Sequence, residues 1–205
     1  MPFDAVIFDF DGTLVDSAIA KRQAFFAIFP DTASHRAIVS GVLTEDPDGS
    51  RHRVIPLMVE RLKAAGLDPQ GGLSADSLIR RYGIVAEDAV KQAPELPGAT
   101  ALLAALSPWM QLHVCSNTPE DSVRAHVAAR GWRDHFTSVD GYPTQKAAKV
   151  AQVIAAGGFP PDRVAVIGDG VSDAEAARAN GCRFIAIEDS GDLARAGRIL
   201  GLADV

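Results

Sequence analysis

Four short apolar runs, each followed by polar turn residues, constrain the fold of this chain more than any other feature. The runs are Ala5–Phe8, Met110–Ser116, Arg163–Ile167 and Arg183–Ile187. Near-continuous apolar strands of this kind are expected in a parallel sheet that is covered on both faces. From residue 97 onward they alternate with Ala-rich helical stretches at 99–106, 120–130, 145–156 and 173–180. The alternation predicts an α/β fold with a doubly wound parallel sheet.

The stretch from Ser17 to Pro97 has a different character, because no strand pattern interrupts it. Helical patterns run over 17–29, 34–43, 50–65 and 74–93, and Pro56 indicates a start or a kink within the third. The simplest account is an all-helical insertion after the first strand. We therefore expect a core domain of residues 1–15 and 97–205 and a helical cap domain of residues 16–96.

Composition excludes several classes of partner. The net charge of −6 and the lack of a basic run disfavour nucleic acid. No apolar run approaches the roughly 20 residues that span a membrane, and strand-like sequence from Phe3 leaves no room for a signal peptide. Cys115 and Cys182 form no CxxC pair and are expected to be plain thiols in a reducing cytosol. We expect a cytoplasmic monomer or homodimer, with Trp109 and Trp132 packed inside the sheet domain.

Two carboxylates stand two residues apart after the first strand, at Asp9 and Asp11. Residues i and i+2 of a strand face the same side, so both should point into one site. Like charges at such a distance repel each other and shift each other's pKa unless a cation offsets them. A metal-assisted enzyme gains from this arrangement, whereas a structural protein does not.

Ligands of an open parallel sheet bind beyond the carboxyl ends of its strands. That rule gathers six polar residues at one edge: Asp9, Asp11, Ser116, Asn117, Asp169 and Asp173. Four carboxylates at one edge would destabilise the fold without a divalent cation. Oxygen ligands with no nearby His or Cys favour Mg²⁺, which commonly bridges protein carboxylates and a substrate phosphate.

A phosphate substrate would also need hydrogen-bond donors and positive charge. The Ser116 hydroxyl and the backbone N–H groups of the Gly12–Thr13 turn are candidate donors. A lysine could reach the site from the segment before the Asp169 strand. Lys146 and Lys149 are both candidates there, and the residues alone do not choose between them.

These segments resemble the four motifs of the haloacid dehalogenase superfamily. The residues that carry the resemblance are Asp9–Ser17, Ser116-Asn117, Lys146 and Gly168–Asp173. The helical insertion resembles the cap of the phosphoglycolate-phosphatase-like branch in type and position. The resemblance implies a Mg²⁺-dependent phosphatase that acts on a small phosphorylated metabolite through a phosphoaspartate intermediate.

The resemblance also implies roles for the residues that react. Asp9 would attack phosphorus and become the phosphoaspartate, and Asp11 would protonate the leaving group and then deprotonate water. Asp11 speaks against dehalogenation, because halide leaves without a proton. Lys146 would neutralise the phosphate and the Asp9 charge. The family lysine is often followed by proline, but Ala147 stands here, so Lys149 is kept as the alternative.

Further residues would bind the phosphate and the metal. Thr13 and Ser116 would hold phosphate oxygens, with Asn117 shaping the turn beside Ser116. The implied Mg²⁺ ligands are Asp9, the backbone carbonyl of Asp11, Asp169 and Asp173.

Substrate contacts are expected from the cap, where Arg51 and Arg53 precede an apolar helix. If they contact the substrate, it carries negative charge beyond its phosphate. Two alternatives remain open. One is a phosphomutase of the same superfamily, although no His/Lys acid–base pair stands out after Ser17. The other is a catalytically idle phosphate-binding regulatory module.

Overall fold

Within the residues that the structure describes, the first apolar run forms the central strand of a five-stranded parallel sheet. These residues are 1–47, 49–189 and 191–203 of a computed structural model. The strands are β1 (Ala5–Phe8), β2 (Gln111–Pro119), β3 (Ser138–Tyr142), β4 (Val164–Gly168) and β5 (Arg183–Ala186). Their order is β3-β2-β1-β4-β5, with every neighbouring pair parallel. Because β1 lies between β2 and β4, the residues that follow these three strands meet at one edge.

Helices precede or follow each strand in the pattern of a doubly wound sheet. Between β1 and β2 the chain forms α1 (Ala18–Ala27), α2 (Ala33–Glu45), α3 (Arg51–Ala64), α4 (Ala75–Gln92) and α5 (Ala99–Leu106). The later helices are α6 (Glu120–Ala129), α7 (Lys146–Gly157), α8 (Val171–Asn180) and α9 (Asp192–Ile199), with short 3₁₀ turns at Arg133–His135 and Pro161–Arg163. Across the described residues, none of these helices is long and apolar enough to cross a membrane.

Side chains of β1 alternate between the two faces of the sheet. Ala5 and Ile7 pack in a buried cluster with residues of α7 and α8. Val6 and Phe8 are fully buried on the other face, where the Phe8 ring meets Phe136 edge to face at 6.4 Å between centroids. Both faces of β1 are covered, which explains its uninterrupted apolar sequence.

Helices α1–α4 have a hydrophobic core of their own. Ile28, Met58 and Leu62 are fully buried in it, and the rings of Phe25 and Tyr82 stack at 4.2 Å between centroids. The chain divides into two compact units, Met1–Asp16 with Pro94–Val205 and Ser17–Ala93. The helical unit spans Ser17–Ala93, whereas the sequence predicts a cap of residues 16–96.

The chain leaves and re-enters the sheet unit along paired segments. Val15 forms an antiparallel bridge with Glu95. The Asp16 N–H donates to the carbonyl of Pro94, and the Leu96 N–H donates to that of Leu14, each at 2.9 Å. The two ends of the inserted segment are therefore hydrogen-bonded neighbours.

Two elements depart from the expectation drawn from the sequence. Strand β3 was not predicted, because Ser138, Asp140 and Gly141 interrupt its apolar pattern. Among the described residues it has a strand partner on one side only, at the edge of the sheet, where continuous apolar sequence is not needed. Helix α9 was also missed. Helix α3 begins at Arg51 and continues through Pro56, so Pro56 does not start it.

The two tryptophans differ in their surroundings. Trp132 is 1% exposed and donates its Nε1–H to the Thr100 hydroxyl at 2.8 Å. Trp109, in the turn between α5 and β2, is 70% exposed. The prediction that Trp109 packs inside the sheet domain is wrong, because a turn at the start of a strand leaves its side chain in solvent.

Candidate active site

Three carboxylates from distant parts of the sequence converge at the carboxyl edge of the sheet. Asp9 follows β1, Asp169 follows β4, and Asp173 lies in the first turn of α8. One oxygen of each lies within 4.8 Å of one oxygen of each of the others. Asp9 and Asp173 are buried, whereas Asp169 is the exposed member. Such a group is stable only with compensating positive charge.

Two glycines make room for these carboxylates. A Cβ on Gly12 would lie 2.1 Å from the Asp169 Oδ2, and the φ of +77° at Gly12 also disfavours any other residue. A Cβ on Gly168, the last residue of β4, would lie 2.3 Å from the carboxyl carbon of Asp173. The close approach of backbone to carboxylate is therefore built into the sequence at both places.

Lys146 supplies the positive charge that the structure shows at this group. Its Nζ lies 2.8 Å from the Asp173 Oδ1 and 3.1 Å from the Asp9 Oδ1. Burial disfavours the charged amine, but the charges of Asp9 and Asp173 outweigh burial and raise the pKa of Lys146 above its ordinary value. Lys146 is therefore a permanent cation that is fixed between two carboxylates.

The single positive charge of Lys146 does not balance the three carboxylates. The pKa values of Asp173 and Asp169 are both raised. Burial, followed by the charge of Asp9, raises the pKa of Asp173 to about 7, although Lys146 acts in the opposite direction. The same two causes raise the pKa of Asp169 to about 6. Near neutral pH the Asp173 carboxyl would thus be partly protonated, and the Asp169 carboxyl would take up its proton about one pH unit lower, unless another cation replaced these protons.

The donor set fits a hard dication such as Mg²⁺. The three side chains of the group offer only oxygen. Among the described residues the buried Asp173 Oδ2 has no hydrogen-bond donor, and the Asp9 Oδ1 meets only the Lys146 ammonium, at 3.1 Å. Buried carboxylate oxygens without donors are costly in a folded protein, and a bound cation would satisfy them.

Asp11 is tied to β2 through a residue that the sequence analysis did not single out. The hydroxyl of Thr118 donates to the Asp11 Oδ2 at 2.6 Å. The N–H of Thr118 donates to the Ser116 Oγ at 3.1 Å, and both β2 residues are buried. Thr118 stands two residues after Ser116 in β2, so strand alternation could have indicated it.

Thr13 and Asn117 lie beside these residues in different ways. Thr13 is fully buried, and its hydroxyl donates to the Asp169 Oδ1 at 3.4 Å. Asn117 follows Ser116 in β2 and is exposed. The turn after β1 is therefore held against the residue after β4 by the Thr13–Asp169 contact.

Lys149, the second candidate lysine, lies against a different carboxylate. Its Nζ is 2.7 Å from the Asp140 Oδ2 of β3. Lys146, and not Lys149, lies in contact with Asp9 and Asp173.

The two cap arginines belong to the helical unit, and their described contacts lie within it. The guanidinium of Arg51 lies over the Tyr82 ring, 5.2 Å from its centroid. Arg53 forms an ion pair of 2.5 Å with Asp46, and its side chain is 67% exposed. Arg53 thus already pairs with a carboxylate of the helical unit, and Arg51 lies over a ring of the same unit.

Comparisons with known proteins agree with this geometry. A model of the haloacid dehalogenase-like hydrolases matches residues 3–181. A phosphoglycolate phosphatase of Synechococcus elongatus is 31% identical over 191 residues, which cover 89% of this chain and 82% of that protein. A Mycobacterium tuberculosis protein named tyrosine-protein kinase PtkA is 29% identical over 189 residues, covering 89% and 61%. The HAD-hydrolase YfnB of Bacillus subtilis, a structure bound to magnesium, has a TM-score of 0.73 at 18% identity, covering 98% and 99%.

Proposed function

The chain belongs to the haloacid dehalogenase-like hydrolases, and we propose that it is a Mg²⁺-dependent phosphatase of small phosphorylated metabolites. The observation that carries the proposal is that Asp9, Asp169 and Asp173 lie close together, with Lys146 in contact with Asp9 and Asp173. A nucleophilic carboxylate, a cation and a set of hard oxygen ligands are what phosphoryl transfer to an aspartate requires.

Two displacements at phosphorus account for hydrolysis. An Asp9 oxygen forms a bond to phosphorus as the ester P–O bond breaks, and Asp11 gives its proton to the departing alkoxide. Water then attacks the phosphoaspartate while Asp11 takes up its proton. The bond between Asp9 and phosphorus breaks, which releases orthophosphate and restores both carboxyl groups. General acid–base catalysis of this kind is typically worth ~10²–10⁴ in rate.

The same residues would hold the metal and the phosphate. Asp9, the Asp11 carbonyl, Asp169 and Asp173 would be the Mg²⁺ ligands; when bound, the ion supplies charge neutralisation and polarisation of a phosphoryl oxygen. Lys146 holds positive charge beside Asp9, where the phosphoryl group arrives. Among the remaining polar groups, Thr13, Ser116 and Asn117 would donate to the other phosphoryl oxygens.

The relatives named phosphoglycolate phosphatase support a substrate that is a small phosphorylated acid. Arg51 and Arg53 would bind the second anionic group of such a substrate. We further propose that the protein works in the cytoplasm as a monomer or homodimer. The free thiols of Cys115 and Cys182 support a reducing compartment, and size-exclusion chromatography tests the oligomeric state.

A chromogenic ester, p-nitrophenyl phosphate, tests the proposal on purified protein. We expect phosphate release that requires Mg²⁺, that is lost in Asp9→Asn, and that is inhibited by Ca²⁺. Ca²⁺ accepts more ligands and can engage both oxygens of Asp9, which occupies the attacking lone pair. Turnover without metal, or full turnover by Asp9→Asn, contradicts the proposal.

Analysis of the products formed from other phosphoryl donors and acceptors separates three alternatives. A phosphomutase would move the phosphoryl group to a second hydroxyl without releasing phosphate. A kinase would transfer a phosphoryl group from ATP to tyrosine, an alternative that the relative named tyrosine-protein kinase PtkA makes worth testing. An idle binding module would release no phosphate from a broad panel of esters, although the set of Asp9, Asp11, Ser116, Lys146, Asp169 and Asp173 weighs against it.

A further inference from the structure

A second buried ion pair lies one helical turn from the candidate site. The Lys149 Nζ on α7 is 2.7 Å from the Asp140 Oδ2 on β3, with side-chain exposures of 6% and 18%. Asp140 also accepts a hydrogen bond of 2.7 Å from the Ser138 hydroxyl, which lies 2.9 Å from the His113 Nδ1. The pair thus joins α7 to the edge strand and, through Ser138, to β2.

The two lysines differ in their charge balance. Lys149 faces one carboxylate, and its neighbour His113 is neutral because burial, and then the charge of Lys149, lower the pKa of that imidazole to about 4. Lys146 faces a group of three carboxylates. The Lys149 pair is therefore neutral in itself and needs no metal or substrate, unlike the group around Lys146.

Both lysines are buried on the same face of α7. They are three residues apart, and side chains at that spacing are neighbours on a helix. Cys115 of β2 is close enough to both Lys146 and Asp140 for the charge of each to shift the pKa of its thiol. Cys115 is also the register partner of Asp140, and the next residue is Ser116.

Lys146 is the first residue of its helix, which makes its position depend on outside contacts. N–H groups of a first turn lack intrahelical acceptors, so that turn is less well fixed than the interior. The Lys149 N–H, in contrast, donates to the Gln145 carbonyl at 3.0 Å. An anchor at Lys149 thus holds the turn that begins at Lys146.

We propose that the Lys149–Asp140 ion pair positions Lys146, by fixing the first turn of α7 so that the Lys146 Nζ lies between Asp9 and Asp173. Lys149 is a positioning residue that does not touch the substrate. The kinetic part of this inference rests on the proposed phosphatase function.

A double-mutant cycle separates positioning through the pair from direct contact by Lys149. The variants are Lys149→Met, Asp140→Asn and both together. If the pair acts as a unit, each single change lowers kcat by about 10- to 100-fold with little change in KM, because a misplacement near 1 Å costs that much. The double variant is then no slower than either single one. Direct contact instead predicts that Asp140→Asn, which frees Lys149, stays active.

A control variant removes a more exposed ion pair of the same unit. Arg163 pairs with Asp4 just before β4 and β1, with side-chain exposures of 41% and 34%. We expect Arg163→Met to leave kcat unchanged and to change the melting temperature little, because exposed ion pairs contribute little stability. The Lys149→Met/Asp140→Asn double variant leaves no unpaired buried charge. Its melting temperature should therefore be higher than that of Lys149→Met or Asp140→Asn alone, while its kcat stays low. The proposal is overturned if the double variant recovers both its melting temperature and its kcat. It is also overturned if the effects of the two single changes on kcat multiply in the double variant.

Crystal structures of metal-free Asp140→Asn and of the double variant give a readout that needs no activity. The proposal expects the Lys146 Nζ to leave its positions at 2.8 Å from Asp173 and 3.1 Å from Asp9. An unmoved Lys146 refutes the inference even if the wild-type protein proves inactive. An inactive wild type with a displaced Lys146 in the variants refutes only the phosphatase function.

Discussion

A buried threonine holds the carboxylate that we assign as general acid and base. The Thr118 hydroxyl donates to Asp11 at 2.6 Å, and valine has nearly the same shape. We expect Thr118→Val to lower kcat about tenfold or more, because a hydrogen bond to a charged group is worth roughly 1.5–3 kcal/mol. Steady-state kinetics with p-nitrophenyl phosphate measure the effect.

Thr100→Val is the matched control for this change. The Thr100 hydroxyl accepts from Trp132 at 2.8 Å in the same unit and contacts none of the candidate site residues in the described hydrogen bonds. It should lose stability and keep kcat. Equal kcat in the two variants would show that Thr118 does not orient Asp11.

The raised pKa values at the carboxylate group predict how Mg²⁺ binding depends on pH. Asp173, with a pKa of about 7, and Asp169, with about 6, must lose their protons before they hold a cation. The apparent dissociation constant for Mg²⁺ should therefore rise about 10- to 100-fold as pH falls from about 8 to about 5.5. Calorimetry in buffers of different ionisation enthalpy should detect proton release below neutrality. An affinity that is constant over this range contradicts the prediction.

At the scale of single elements, the turn after β1 is where backbone and site depend on each other most. Gly12→Ala places a Cβ at 2.1 Å from the Asp169 Oδ2 and forces a residue with φ of +77°. We expect it to lower the free energy of unfolding by more than about 1 kcal/mol and to weaken Mg²⁺ binding, because Asp169 must move. Urea denaturation and metal titration measure the two effects.

Gly131→Ala is the control for backbone strain alone. Gly131 has a φ of +72°, and a Cβ there would meet nothing within 4 Å. Its stability loss should be the smaller of the two, with Mg²⁺ affinity unchanged. If both variants bind Mg²⁺ like the wild type, the close contact with Asp169 does not hold the site.

Strands with an apolar sequence were predictable, including the edge strand β5, whereas strand β3 and helix α9 were not. The parallel α/β fold and the family are confirmed, because β1 and β4 have uninterrupted apolar sequences and the motif residues follow them directly. Strand β3 has a polar alternation that a sheet edge tolerates, so its sequence resembles a loop. Helix α9 lies beyond the matched family region and carries no motif.

Because strand β3 was not predicted, the contact between Lys149 and Asp140 could not be predicted either. The sequence could name Lys146 and Lys149 but not choose between them, since the partner of Lys149 is Asp140 in β3. Thr118 was missed because it follows the motif residues Ser116 and Asn117 in β2. The assigned roles of Asp9, Asp11 and the other site residues stay predictions until the variants are measured.

At the scale of the whole molecule, the helical unit is expected to set substrate preference. We expect Arg51→Ala and Arg53→Ala to raise KM for phosphoglycolate about tenfold, as loss of a charged hydrogen bond implies. The KM for p-nitrophenyl phosphate, which lacks a carboxylate, should change little. Both constants come from steady-state assays with the two substrates.

Arg61→Ala is the control in the same helix. Arg61 forms an exposed ion pair with Glu45 at 2.6 Å, and such pairs contribute little stability. It should leave both KM values unchanged. If all three arginine variants behave alike, the specificity of the enzyme does not come from the start of α3.

The paired segments at Val15 and Glu95 have a consequence for how this architecture can diversify. Because Asp16 and Pro94 are hydrogen-bonded to each other, the two backbone segments that lead into and out of the insert are joined within the sheet unit. Lengthening a loop adds only about 0.6 kcal/mol per doubling of its length. Inserts of other sizes could therefore replace this one between the same two segments. Substrate selectivity could then be exchanged between enzymes while the reacting carboxylates stay in place.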